Sequence, residues 1–288
     1  MSRTLADLVR QATTDLERSG IDTAAREARL LVAMAANIPA DRVNLSLNET
    51  VRPEVEQVLA ELLERRGQRR PLSHITGVRA FFRHEFMVTG DVLDPRPETE
   101  TLVEAALAWP FDHVLDIGTG SGCILLSLLA ARPRASGVGT DLSAAALDVA
   151  RVNAARLDVA ERCLFLNAGW LEGVEGRYDL IVSNPPYVAI DEMAGLAPEL
   201  HHEPRMALTD EGDGLSAYRV IVPGAVAHLK PGGRLMVEIG WQQGAAVADL
   251  FGHAGFDGVR ILPDLDGRDR VVVGVWPANP APARDRTG

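Results

Sequence analysis

The run Val114-Leu115-Asp116-Ile117-Gly118-Thr119-Gly120-Ser121-Gly122 ends an apolar stretch in an acid and then sets three glycines at alternate positions. Glycine is needed where a backbone must turn tightly and approach a ligand with no Cβ in the way. The spacing is not the dinucleotide fingerprint, because Cys123 stands where its last glycine belongs, and the missing Lys-Ser/Thr excludes a phosphate-cradling P-loop. Asp141 closes the next strand candidate 23 residues after Gly118, where an acid can accept hydrogen bonds from ribose hydroxyls. A bare strand–helix turn is the plainer alternative, but strand, loop, helix and second acid together point to a nucleoside-bearing cofactor. S-adenosylmethionine fits best and NAD second.

A second chemical motif, Ser183-Asn184-Pro185-Pro186-Tyr187, follows the apolar segment Leu180-Ile181-Val182. Two prolines fix φ and remove two backbone donors, which leaves carbonyls free to accept. Asn184 adds a side-chain carbonyl and Tyr187 a flat ring. Such a group can grip a planar NH2: acceptors hold both N–H bonds while the ring packs over the plane. Holding the protons pushes lone-pair density toward a methyl donor, which conjugated and poorly nucleophilic amino groups need.

These residues require strands that end at one edge. Strand candidates are His113–Ile117, Gly137–Thr140, Cys163–Leu166, Leu180–Ser183, Arg234–Ile239 and Val271–Val275. Helix candidates Ser121–Ala131, Ala144–Leu157, Ala217–Leu229 and Ala245–Ala254 fall between them, and another opens at Pro97 and runs through Leu107. The alternation predicts a doubly wound, mostly parallel α/β sheet. Ahead of it, Ile75 to Val88 is β-branched and aromatic and predicts a linking hairpin, with Phe81 and Phe82 as its packing residues. The first 70 or so residues predict a small all-α domain. Leu5, Leu8, Val9, Ala12 and Leu16 form one helical stripe, Ala25, Ala28, Leu31 and Ala35 a second, and Val58, Leu62 and Leu63 a third behind Pro53.

Charge divides between the two parts. Residues 1–72 hold 11 Arg and 11 acids, so the whole net charge of −11 falls on the remainder, an unsuitable surface for a polyanion. Cys123 and Cys163 lie 40 positions apart, a spacing that suits neither a disulfide framework nor zinc and predicts a reducing compartment. No apolar run nears the ~20 residues that cross a bilayer, and no secretory h-region opens the chain. The expectation is a cytoplasmic monomer with no membrane and no direct nucleic-acid partner. Arg65-Arg66-Gly67-Gln68-Arg69-Arg70 is expected to be a solvated helix end, and His201-His202-Glu203 to bind no metal, since adjacent histidines point apart.

The glycine run and Asn184-Pro185-Pro186-Tyr187 together resemble class I S-adenosylmethionine-dependent methyltransferases acting on planar amino groups. Four flanking segments narrow the resemblance: Pro71-Leu72-Ser73-His74-Ile75-Thr76-Gly77, Pro95-Arg96-Pro97-Glu98-Thr99-Glu100, Glu203-Pro204-Arg205-Met206-Ala207-Leu208 and Gly240-Trp241-Gln242-Gln243-Gly244. With them the chain is similar to the HemK/PrmC family of peptide-chain release factor glutamine N5-methyltransferases over nearly its whole length. The resemblance implies a helical substrate-recognition domain at 1–72, a hairpin linker at 73–92, a seven-stranded methyltransferase domain at 93–277 and a disordered tail at 278–288. It implies cofactor contacts from Gly118, Thr119, Gly120, Ser121, Gly122, Asp141, Trp170 and Asn184, with Trp170 beside the adenine. It implies that Asn184, Pro185, Pro186 and Tyr187 bind the glutamine of a Gly-Gly-Gln motif, with Asn184, Pro185 and Tyr187 as the catalytic set. Relatives commonly carry an acid where this chain has Gly169, so Trp170 has packed core as its alternative reading. Competing activities are glutamine methylation of a ribosomal protein, adenine-N6 methylation of DNA, and a non-catalytic cofactor sensor.

Overall fold

The computed structural model describes residues 3–278, so nearly all of the tail expected at 278–288 lies outside the described residues. The described residues form two compact units, one of residues 3–78 with 197–202 and one of 79–196 with 203–278.

In the smaller unit, helices α1 (Leu5–Arg18), α2 (Ala24–Ala36) and α3 (Pro53–Gly67) are followed by the short α4 (Leu72–Thr76). Thr4 caps α1 through a reciprocal hydrogen-bonded box with Asp7, which satisfies donors the first turn leaves open. The stripe anticipated on α1 is the buried one. On α2 the face is instead Ala24, Glu27, Ala28, Leu31, Val32 and Ala33, and on α3 it is Val55, Leu59, Leu62 and Arg66. Both stripes escape an apolar-periodicity reading for the same reason: each includes a charged residue. Arg66 Nε donates to Glu27 Oε2 at 2.6 Å and Arg66 Nη1 to Glu199 Oε1 at 3.0 Å, while Arg69 reaches Glu199 at 2.8 Å. Arg66 therefore departs from the expected solvated helix end, being only 6% exposed, while Gln68 and Arg70 of the same cluster are exposed. Nearby, the His202 ring is hydrogen-bonded to the Gln68 carbonyl. Ile75 and Thr76, expected in a strand, close α4, and Gly77 ends it in the left-handed conformation.

The larger unit begins with the hairpin strands β1 (Val78–Phe81) and β2 (His84–Met87), whose Phe81 and Phe86 are buried edge to face. Phe82 turns the hairpin at φ 54°, with its amide donating to Glu100. After α5 (Glu100–Leu107) come β3 (His113–Ile117), α6 (Cys123–Ala131), β4 (Ser136–Asp141), α7 (Ala144–Arg156), β5 (Cys163–Asn167) and β6 (Tyr178–Ser183). Then follow α8 (Ser216–His228), β7 (Leu229–Glu238), α9 (Gly244–Ala254), β8 (Asp257–Pro263) and β9 (Asp269–Val275). One seven-stranded sheet runs β5-β4-β3-β6-β7-β9-β8, parallel from β5 to β7, with β9 antiparallel to both of its neighbours. β8 is the strand absent from the sequence reading. It is an edge strand with little burial and lacks the apolar run that marks the others.

Helices cover both sheet faces, so alternate residues enter different cores. Val114, Leu180, Val182 and Met236 pack toward α5 and α6, whereas Leu115, Ile117, Ile181, Leu235 and Val237 pack toward α8 and α9. This explains why the central strands read as unbroken apolar runs rather than alternating ones.

The buried Glu27–Arg66 pair yields a stability test. Removing one partner of such a pair strands the other charge and costs about 3–5 kcal/mol, whereas replacing both with apolar groups is often close to neutral. Urea unfolding should therefore show Arg66→Met destabilised by about 3 kcal/mol and Arg66→Met/Glu27→Leu recovering most of that loss.

Candidate active site

The site is assembled where β3 ends between β4 and β6, the point at which strand order reverses and crevices open at carboxyl ends. Ile117 pairs with Ser183 across β3 and β6, and the Ser183 hydroxyl donates to the Ile117 carbonyl at 2.7 Å. The residues that follow, Gly118 and Asn184, consequently leave the sheet as neighbours. Ser183 also pairs with Val237, so Asn184 and Glu238 leave β6 and β7 side by side.

The glycine turn is held from below. The amides of Gly118 and Thr119 donate to the Thr140 carbonyl at 2.9 and 2.8 Å. Asp141 receives the Gly120 amide at 2.9 Å and the Ser143 amide at 2.8 Å. Asp116 lies fully buried beneath the turn, accepting from the Thr119 hydroxyl at 2.7 Å and the Leu125 amide at 3.3 Å. Burial pushes its pKa up to about 7, against those two hydrogen bonds and with a further rise from Asp141. Burial likewise raises Asp141, and takes the Cys123 thiol to about 12. A thiol held there stays protonated and is a poor nucleophile.

Above the turn opens a cavity of about 710 Å³. That is within the range of roughly 300–1,000 Å³ typical of pockets that engulf a small ligand. Gly118, Thr119, Gly120, Ser121, Asp141, Trp170, Asn184 and Pro186 all line it. Its opposite wall comes from Leu93, Pro95, Arg96 and Thr99 and from Pro204 to Ala207. A salt bridge of 2.5 Å from Arg96 to buried Glu203 ties those two walls together. Gly122, Pro185 and Tyr187 are not on the cavity wall. Gly122 instead caps α6 at φ 81°, which makes α6 begin at Cys123 and not at Ser121. Pro185 is buried, and the half-buried Tyr187 packs on the core beneath α8 and α9.

Trp170 lines the cavity and also packs against the core. Its carbonyl accepts from the Thr140 hydroxyl at 2.8 Å. The arrangement fits S-adenosylmethionine: a backbone cradle with open space where Gly118 and Gly120 would carry Cβ atoms, an acid beside it at Asp141, and an aromatic wall at Trp170.

Two residues hydrogen-bond the Asn-Pro-Pro-Tyr loop that motif reading did not single out individually, and two more lie close against it. Asn184 Nδ2 donates to Thr99 Oγ1 at 3.2 Å. Gln243 Nε2 donates to the carbonyls of Tyr187 at 2.9 Å and Gly214 at 3.2 Å. Gly214 must be glycine, because a Cβ there would stand 2.3 Å from the Tyr187 carbonyl oxygen and its φ is +74°. Glu238 is 1% exposed behind the loop. Its one sequence signal is a carboxylate inside the apolar run Leu235-Met236-Val237-Glu238-Ile239.

This doubly wound sheet with a glycine turn opening on its switch-point cavity is the fold of a class I methyltransferase. A methyltransferase from Pyrococcus furiosus shares it, with a TM-score of 0.54 at 18% identity over 74% of this chain and 98% of that one. The family models for the PrmC N-terminal domain and the methyltransferase small domain match residues 7–77 and 90–215. The release factor glutamine methyltransferase of Cereibacter sphaeroides is 54% identical over 95% of this chain and 99% of its own. That of Caulobacter vibrioides is 43% identical over 96% and 97%. The chain belongs to the HemK/PrmC family of release factor glutamine methyltransferases.

The start of α6 supplies a local test. A Cβ at Gly122 would lie 2.9 Å from Leu126 Cδ1 and 3.3 Å from Ala150 Cβ, whereas one at Gly118 would meet nothing. Gly118→Ala should cost about 1–2 kcal/mol from its left-handed backbone alone, and Gly122→Ala roughly 2–4 kcal/mol because overpacking adds to the same strain. Thermal unfolding of the ligand-free protein checks the order, and equal losses would show that the helix start relaxes freely.

Proposed function

We propose that this protein transfers the methyl group of S-adenosylmethionine to the side-chain amide nitrogen, N5, of a glutamine in a peptide-chain release factor. The reading rests on one observation above the rest: the glycine turn and Asn184 border a single cavity, so a methyl donor and an amide can meet there. Membership of the family supplies the substrate class, and the printed names of the relatives at 54% and 43% identity are release factor glutamine methyltransferases.

When bound, the cofactor supplies an electrophilic methyl group on a sulfonium. Gly118 to Ser121 would hold its backbone-facing side, Asp141 would accept from its ribose hydroxyls and Trp170 would pack beside its adenine. Asn184 Oδ1 accepts from an N–H bond of the glutamine amide. Because Asn184 Nδ2 is already committed to Thr99, its carbonyl oxygen is the atom left for substrate. Pro186 and Tyr187 stiffen the loop, with Tyr187 packing against it. A dedicated general base is unnecessary, since the N-methylated amide cation is strongly acidic and sheds its proton readily. Catalysis is then mainly alignment, a contribution that reaches about 7–11 kcal/mol in well-oriented systems. The helical unit, which matches the PrmC N-terminal domain, helps hold the protein substrate.

Methyl incorporation should appear in purified release factor, vanish when its target glutamine is substituted, and remain at background in ribosomal proteins and duplex DNA. Stronger labelling of either of the last two would displace the reading. Asn184→Ala should lower kcat by at least about 10³-fold while cofactor affinity stays within about threefold, since it removes an alignment contact and no cradle donor. Parallel losses in both quantities would remove Asn184 from its role.

A further inference from the structure

Glu238 is a buried acid that the proposed chemistry has not used. It ends β7 on the sheet face shared with Asp116, and neither carboxylate oxygen makes a hydrogen bond of full geometry among the described residues. The hydroxyls of Thr99 and Tyr187 nevertheless draw its pKa down, and the pairing of Ser183 with Val237 sets it beside Asn184. Thr99 is itself 2% exposed and accepts from Asn184 Nδ2. A threonine hydroxyl has one proton, so its role toward Asn184 depends on where that proton goes. An ionised carboxylate can only accept. With Glu238 taking the Thr99 proton, Thr99 must present a lone pair to Asn184, and the amide is fixed with Nδ2 inward and Oδ1 toward the cavity. Without that acceptor, Thr99 can donate to Asn184 Oδ1, and the amide can turn its NH2 to the substrate, a donor facing donors.

We propose that Glu238 is a positioning residue for methyl transfer, setting the hydroxyl protons of Thr99 and Tyr187 so that the carbonyl of Asn184 faces the substrate amide. The proposal rests on Asn184 gripping that amide.

The surroundings make this arrangement depend on pH. Burial raises Glu238 to about 7, against the Thr99 hydroxyl and Arg270. Arg270 on β9 faces it as the cation and is shared with Asp264 at 3.1 Å. Glu98, ahead of α5, opposes its ionisation, and Tyr187 lies on the loop after β6. Tyr218 of α8 and Cys123 of α6 also feel its charge; burial pushes both upward, so both stay neutral near pH 7. Burial likewise raises Tyr187, which keeps its proton available to donate. The ionised form is the working form, so activity is present above about pH 7 and declines as pH falls through that value.

The test measures kcat, and separately cofactor Kd, from pH 6 to 8.5. In the parent protein kcat should fall about tenfold for each pH unit below the Glu238 pKa, while cofactor Kd moves little. Glu238→Gln, close in shape but free to offer either amide face, should lower kcat about tenfold at pH 8 and flatten the profile. Thr99→Val should cause a similar loss and Thr99→Ser should restore most of it. Glu238→Gln combined with Thr99→Val should lose no more than Thr99→Val alone, because both act through one hydroxyl.

A Glu238→Gln variant with the parental kcat and profile would overturn the proposal. So would multiplicative losses in the double variant, or a kcat loss matched by weaker cofactor binding. Asn184→Ala, assayed alongside, separates the two ideas: if it retains turnover, the reading of Asn184 falls, and if it is inactive while Glu238→Gln is normal, only the role of Glu238 falls.

Discussion

The pairing of β3 with β6 is the constraint on which the site depends. Ile117 lies opposite Ser183, and the 2.7 Å hydrogen bond from the Ser183 hydroxyl to the Ile117 carbonyl closes the last rung of that ladder. A slip of one residue would reverse which face each side chain enters, burying Asn184 or turning Asp116 out of its core. Both strands carry apolar residues to two different cores, so such a slip would also exchange Leu115 and Ile117 with partners from the opposite face. The register is thus held by packing over the whole sheet, and the adjacency of glycine turn and asparagine loop follows from it.

How much of this was legible from the sequence depends on whether a residue announces itself by pattern or by partner. The five parallel strands and their helices are readable because short β-rich segments alternate with longer helical ones along the chain. The two motifs were readable because their residue types are costly unless used. β8 was not, since an exposed edge strand needs no apolar run. The faces of α2 and α3 were misplaced because Glu27 and Arg66 occupy core positions, and only their meeting across 39 residues makes that burial tolerable. Ile75 and Thr76 have strand-like side chains, but Gly77 ends a short helix there.

The candidate site divides in the same way. Gly118 to Ser121, Asp141, Trp170, Asn184 and Pro186 meet at one cavity, while Pro185 and Tyr187 support it from within. Spacing and the family resemblance both group Gly122 with the cradle, and its position at the α6 cap reflects a packing need that no glycine count reveals. Thr99 was visible only as part of a segment, because its significance is a hydrogen bond to a residue 85 positions away.

That distance carries the last point. The Asn-Pro-Pro-Tyr loop is held from three separate directions: Thr99 on the Asn184 side chain, Gln243 on the Tyr187 carbonyl, and the Leu208 carbonyl, which accepts from the Val188 amide at 2.9 Å. None of these supports is local, and each comes from a different part of the larger unit. If the chemistry is alignment without a general base, displacement of the amide by about 1 Å can cost two orders of magnitude in rate. Two prolines limit the backbone of the loop, but proline cannot orient an asparagine amide, which has two nearly isosteric faces. Orientation requires a neighbour whose hydrogen-bonding sense is itself determined, and an ionised carboxylate is the side chain that can only accept. A buried acid behind the loop is therefore a physically consistent means of giving a symmetric-looking side chain one direction, despite the desolvation cost that raises its pKa.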